Sequence, residues 1–346
     1  MVSSRAPLLF LCATAAVALV ACSRREPKEQ SPPAPTSSKS NEITTAKSAG
    51  AASADSAVGS TFEIGRGSDA QAVSIDASTV YYGVDNALFA RALDGKPSAT
   101  KILDLDGAPY RVLAVEAASV DWIEDTLAAG DDIRIHRTPR AGGASTVVGK
   151  YPQRPRGATI DATAFYVASG QAASAYVGEV DRIPRAGGAS NTLASGPWLP
   201  TSIANDAELV YVGRRGGEGV SLVAVKKTGG APVVLFSSSD DQCELLSLVV
   251  TARELWWVTD GTLRRMPKIG GVAPVDETFT DVVEVVGDDR DLYVATKTSI
   301  ARLRANASST FAANQGAPHA LVLGTSHLCW SVGSTEPTVI CAPRMP

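Results

Sequence analysis

Four short stretches decide the fold: Pro139-Arg140-Ala141-Gly142-Gly143, Pro184-Arg185-Ala186-Gly187-Gly188, Lys226-Lys227-Thr228-Gly229-Gly230 and Pro267-Lys268-Ile269-Gly270-Gly271. Their first glycines stand 45, 42 and 41 residues apart. Alternating apolar residues precede each, and a β-rich run such as Val233-Val234-Leu235-Phe236 follows. A Gly-Gly pair between two such runs marks a hairpin, because glycine takes the positive φ of a tight turn without steric cost.

Upstream of each lies a second recurring segment: an apolar strand, a polar or acidic turn, then a strand with an aromatic. Ser74-Ile75-Asp76 with Val80-Tyr81-Tyr82 is one copy, and Ala204-Asn205-Asp206 with Val210-Tyr211 is another. The turn positions are 76, 116, 161, 206, 251, 288 and 324. Seven units of roughly 40 residues, each four strands, predict a β-propeller. In the first unit the strands A to D fall at about 72–76, 79–85, 87–93 and 99–105. The last unit has A at 319–324, B at 327–332 and C at 338–344, with no room for D. The alternating segment Thr61-Phe62-Glu63-Ile64-Gly65-Arg66 is the expected donor, closing the ring three-plus-one and pairing the exposed edges. The fold class expected is all-β: a seven-bladed propeller of four-stranded antiparallel blades over residues 60–346.

Composition agrees. Of 346 residues, 32 are Lys or Arg and 36 Asp or Glu, a net charge of −4, which argues against a nucleic-acid binder. Hydrophobic residues make up 45 %, enough for a buried core. Thirty Gly and 20 Pro disfavour a helical bundle. The N-terminus differs. Residues 1–21 read as an export signal: Arg5, then an apolar run from Pro7 to Ala21 too short to span a bilayer. Residues 22–59 are rich in Ser, Ala, Pro, Thr and Lys and read as a disordered tether. Stretched, it would reach about 130 Å; as a coil it averages roughly 35 Å.

Leu19-Val20-Ala21-Cys22 resembles a bacterial lipobox, which implies cleavage before Cys22 and lipidation of that residue. Ser23 after it then implies the outer membrane, facing periplasm or cell surface. With its Ile183-Pro184-Arg185-Ala186-Gly187-Gly188 repeats, the chain resembles bacterial exported seven-bladed β-propeller lipoproteins of the TolB, NHL and lyase-like superfamily. That architecture hosts binding, scaffolding and enzymatic roles alike.

Cys329 and Cys341 lie on neighbouring strands, each six residues from Thr335, so a hairpin centred there sets them opposite one another. Export permits a disulfide; two buried thiols are the alternative. Cys243 is left over in the loop before the fifth blade. No Cys-x-x-Cys, His-Glu-x-x-His, Gly-x-Ser-x-Gly or P-loop occurs, and no cofactor is expected. Gly65-Arg66-Gly67-Ser68-Asp69-Ala70 imitates a dinucleotide fingerprint but has no helix to follow it.

The recurrent acids Asp76, Glu116, Asp161, Asp206 and Asp288 read as turn residues that hydrogen-bond their own backbone. Tyr82, Trp122, Trp257 and Trp330 read as core between blades. Arg140, Arg185 and Lys268 read as solvated turn residues. Apparent insertions at 124–134, 169–180 and 214–221 fall in B–C connections of blades 2, 3 and 4, which share a face with the D–A connections. On that face Trp198, Arg156, Tyr110, Asp240, Asp241 and Arg214 are the candidate residues for a protein partner, because aromatic plus Arg is a hot-spot composition. Trp198, between Pro197 and Pro200, is expected in a loop. The function expected is a membrane-anchored, non-catalytic binding or scaffold module. The alternative is a metal-dependent lyase or lactonase, with Glu244, Asp281 and His319 at the starts of inner strands as ligand candidates.

Overall fold

The computed structural model describes residues 61–346, apart from 68–69, 105–109, 117, 125–132, 152–154, 173–175, 240–243, 306, 334–335 and 345–346. These residues form seven four-stranded antiparallel sheets, each a blade. Six blades are continuous in sequence. Blade 1 runs Gln71–Ile75, Thr79–Val84, Ala87–Ala92 and Ala99–Asp104. Blade 7 joins His319–Leu323, His327–Val332 and Thr338–Pro343 to the N-terminal strand Phe62–Arg66. Phe62 opposes Cys341 and Arg66 opposes Thr338, so the ring closes three-plus-one.

Every inner strand carries a bulge against strand B, for example between Ala72 and Ser74 in blade 1 and between Pro200 and Ser202 in blade 4. An extra residue there steepens the strand's twist, which a blade needs to pass from channel to rim. Strand B lies mid-blade with neighbours on both faces. It therefore reads as a continuous apolar run rather than an alternating one: Val210, Tyr211 and Val212 are all inaccessible. One apolar cluster lies between each pair of neighbouring blades. Tyr82, Trp122, Trp257 and Trp330 are buried in four of them, each side chain of this size being worth roughly 2–3 kcal/mol when removed from water.

Two of the expected insertions are not loops. In blade 3 the strands lengthen to Ala164–Ala172 and Tyr176–Pro184, paired out to Ala172 opposite Tyr176. In blade 4 they are Leu209–Gly216 and Gly219–Lys226, joined by two residues. Gly219 has φ 103°, and a Cβ there would come 2.1 Å from the Ser238 carbonyl oxygen, so the turn depends on glycine. The small, polar residues that suggested loops are hairpin edges reaching past the blade.

The opposite face, made of A–B and C–D turns, is closed by ion pairs. Four of the five turn acids cap their own backbones: Asp76 Oδ1 accepts from the amides of Ser78 and Thr79 at 2.8 Å, and Asp161, Asp206 and Asp288 repeat the pattern. Arg140, Arg185 and Lys268, however, are not solvated turn residues. Each reaches back to the A–B turn acid of the preceding blade: Arg140 to Asp76 at 2.9 Å, Arg185 to Glu116, and Lys268 to Asp206. Lys227 meets Asp161 and Arg344 meets Asp288, both at 2.7 Å. Four of these cations also lie over the strand-B tyrosine of the blade they reach, 4.9 Å for Lys227 over Tyr166 and 5.4 Å for Arg140 over Tyr81.

Two fully buried carboxylates reinforce this face. Asp121 takes a bidentate pair from Arg137, at 2.7 and 2.8 Å, and a further bond from Arg185. Asp291 is held by Arg304, Arg290 and Arg344. Burial opposes ionisation of Asp206, but Lys268 and two backbone amides outweigh it and hold the carboxyl at about 2. The same balance, with Lys227 and with the arginines respectively, keeps Asp161 and Asp291 well below the usual carboxylate range.

Candidate functional site

The inner strands surround a central channel. Along the arc of blades 3 to 6 it encloses about 500 Å³, lined by Arg156, Thr159, Thr201, Asn205 and Glu284 among others. Its polar side chains stitch neighbouring blades. Thr159 donates to Asn205 Oδ1, Thr201 donates to the Leu245 carbonyl at 2.8 Å, and Glu284 accepts from the Leu321 amide at 3.2 Å. Arg156 belongs to the inner strand Pro155–Ile160 of blade 3, near its D–A end. It is exposed, and its Nε donates to the Gly170 carbonyl at 3.4 Å.

Trp198 is not in a loop. It opens the inner strand Trp198–Asn205 and is buried, packed into the cluster between blades 3 and 4. The reason is backbone room: a Cβ on Gly178 would come 2.4 Å from the indole ring, and one on Gly196 2.6 Å from its Nε1. The indole lies across these two bare backbones. Its outer face carries Arg214, whose guanidinium carbon is 5.6 Å from the ring centroid. Arg214 Nε donates to Ser221 Oγ at 2.9 Å, and burial lowers its pKa from the usual arginine value. Among the described residues no carboxylate pairs with Arg214. Its neighbour Arg215 lies over Tyr176, 5.8 Å from the centroid, and meets Glu244 at 3.0 Å.

A cationic, aromatic-backed platform thus sits beside the channel mouth, built by the long hairpins of blades 3 and 4 and by Glu244 ahead of blade 5. Arg215 and Tyr176 were missed in sequence; the Arg214-Arg215 doublet at the end of an alternating run was their only signal. Of the other expected site residues, Tyr110 opens the inner strand of blade 2 opposite Glu124. Asp240, Asp241, Cys22 and Cys243 lie outside the described residues. Glu244 and Asp281 are each taken by a cation, Asp281 by Lys297 at 2.7 Å, and the His319 ring sits against the Ala317 carbonyl. Among the described residues no three of His, Cys, Asp and Glu converge as metal ligands. Cys329 and Cys341 are directly opposite in blade 7 and joined as a disulfide, with Cα atoms 4.1 Å apart.

No family model matches the chain, and no curated protein matches it. Solved structures do. The CNH domain of AfRom2 superposes with a TM-score of 0.57 at 11 % identity, covering 83 % of this chain and all of that one. A puromycin-hydrolysing peptidase of Mycobacterium tuberculosis gives 0.55 at 13 % identity; this chain spans 78 % of its own length but only 51 % of the peptidase. BamB from Moraxella catarrhalis gives 0.51 at 12 % identity over 81 % of this chain and 99 % of that one. At such identities the likeness establishes the propeller fold alone.

Proposed function

We propose that the chain is an exported lipoprotein whose propeller binds a protein partner on the B–C and D–A face without catalysing a reaction. In this reading residues 1–21 are the signal, Cys22 carries the lipid and anchors the protein in the cell envelope at the outer membrane, and residues 22–59 are the tether. Arg214 carries the reading: a partly buried guanidinium stacked on Trp198, with no carboxylate partner among the described residues. Ser221 Oγ accepts from its Nε, and a partner's carboxylate would add a charge-assisted bond at the terminal nitrogens. Exposed Arg156 lies at the same end of the neighbouring inner strand. The direction of the chain is compatible with this. Phe62 pairs with Cys341 at the end of strand C, so residue 61 joins the propeller on the A–B and C–D face, away from the platform.

Crosslinking in cells, followed by mass spectrometry, tests the reading. Wild type is compared with an Arg156→Ala, Arg214→Ala double variant, which leaves the Trp198 packing in place. One partner captured by wild type and lost in the variant is expected; equal capture would overturn the assignment of this face. The anchor is tested separately. Cys22→Ser should move the protein from the membrane to the soluble fraction.

A further inference from the structure

The turn face offers an internal comparison of seven equivalent blade interfaces. Five are closed by a Lys or Arg of one blade reaching the A–B turn acid of the blade before it. At the seam between blades 7 and 1, Gly324 stands where the acid would be and Leu93 where the cation would be. Leu93 holds the equivalent backbone place: its amide donates to Ser78 O, as that of Arg140 does to Ala118 O. That interface is closed by apolar packing, Leu93 joining the cluster around Ile75 and Tyr82.

Between blades 5 and 6 both partners are also replaced; the turns meet instead through Asp289 Oδ1, which accepts from the Ala252 amide, and among the described residues no ion pair of the repeating kind spans them. Thr251 takes the turn position and caps it through Oγ1, which accepts from the Glu254 amide at 3.0 Å. On the blade 6 side the strands end at Arg304 and resume at Ala307, and Ala305 is among the described residues lining the gap. The result is a cleft of about 470 Å³ lined by Thr251, Glu254, Trp256 and Asp289; Arg253 and Arg290 line it too, Arg290 paired with Asp291 at 3.0 Å.

The aromatic half of the slot survives. Trp256 occupies the strand-B position of Tyr81, Tyr166, Tyr211 and Tyr293, the rings that receive cations elsewhere. Indole is the best of the aromatic faces for this purpose. Arg265 lies 5.5 Å from the Trp256 centroid, but it comes from the blade's own strand C. Arg182 and Arg302 hold that place in blades 3 and 6, and both blades receive an inter-blade cation as well. Arg265 is also neutralised, by Glu254 at 2.7 Å and by Glu277. Arg265 therefore does not take the inter-blade place.

We propose that this cleft is a docking slot for a lysine or arginine side chain presented by an extended segment of another protein. The incoming side chain would stand where Lys227, Lys268 and Arg344 stand at their own interfaces, over the aromatic and beside the turn. The site is on the face opposite the platform and does not depend on it.

The test uses the full chain and two peptides, Gly-Ser-Gly-Arg-Gly-Ser-Gly and its uncharged citrulline analogue. The Trp256 indole resonance is followed during titration. A saturable shift with the arginine peptide below about 10 mM is expected, and none with citrulline. Thr251→Asp restores the acid and keeps the turn cap, so it folds, and affinity should rise about fivefold. Thr251→Lys places a like charge in the slot and should weaken binding at least about tenfold. Equal shifts with both peptides, no saturation, or an affinity unmoved by either Thr251 variant would overturn the proposal. So would binding that survives Thr251→Lys but is lost in Arg156→Ala, Arg214→Ala, which would assign the peptide to the channel face.

Discussion

The interface between blades 4 and 5 and the seam between blades 7 and 1 solve one problem in two ways. At the first, Lys268 spans to Asp206 over Tyr211. At the second, the charged pair is absent, and Gly324 lets Ile75 approach while Leu93 packs beside it. The seam has further support from the N-terminal strand, whose carbonyls at Glu63 and Ile64 accept from Arg91 of blade 1. Turn-face charge locks five of the seven interfaces, that between blades 6 and 7 included, while the described residues of blades 5 and 6 lack it although both blades are contiguous in sequence. Where the ring is closed by a strand from the far end of the chain, the lock is apolar and steric instead.

Three measurements press on that contrast. The largest effect is expected at Arg344, which serves Asp288 and the fully buried Asp291 together. Arg344→Ala should cost about 3–5 kcal/mol, because a carboxylate without solvent access loses a partner. A urea midpoint within error of wild type would show that Arg304 and Arg290 suffice for Asp291. Next is the seam. A Cβ on Gly324 would meet three Ile75 carbons at 2.9 to 3.1 Å, so Gly324→Ala should cost about 1–3 kcal/mol by overpacking, with no charge involved. A neutral result would mean that the seam yields, and that its steric lock is weaker than the ion pairs.

The smallest effect is at Lys268, whose side chain is 21 % exposed, as is that of Asp206. Lys268→Met should cost about 1 kcal/mol after screening. Its pH dependence has a definite sign. Asp206 is depressed to about 2 in the folded chain, so its contribution is complete above about pH 4, the ordinary range of an unfolded Asp, and fades as pH falls toward 2. The gap between wild type and Lys268→Met should shrink over that same window. A gap that stays constant down to pH 2 would show that the lysine acts through packing over Tyr211, not through charge.

Much of this architecture was legible in the sequence, because propeller blades repeat locally. The turn spacing, the Gly-Gly hairpins and the orphan strand at Phe62 each depend on residues close in the chain. The capping role of Asp76, Asp161 and Asp206 was legible for the same reason: it is a contact two or three residues long. Their second oxygens were not legible. Lys227 meets Asp161 across 66 residues and Arg344 meets Asp288 across 56, because the C–D turn of one blade lies over the A–B turn of the blade before it. Each residue alone looks like an ordinary turn residue; only the stagger of neighbouring blades makes them partners. Trp198 misled for a related reason. Its flanking prolines suggested a loop, while the glycines that accommodate its ring lie at 178 and 196, one of them on the far strand of the preceding hairpin.

The closing strand also sets how the molecule would bear load. Phe62–Arg66 runs from the turn face inward, alongside Thr338–Pro343 in antiparallel register. Tension applied at Thr61, normal to that face, pulls the strand lengthwise, so its ladder is strained in shear and its hydrogen bonds must yield together, not one after another. The first pair in line is Phe62 with Cys341, and Cys341 is covalently tied to Cys329 on the strand beyond. Force entering at the N-terminal strand therefore passes into two further strands of blade 7 and, through the Arg91 bonds to Glu63 and Ile64, into blade 1. A propeller pulled by its N-terminus would fail at the edge of one sheet, with the other six blades still closed.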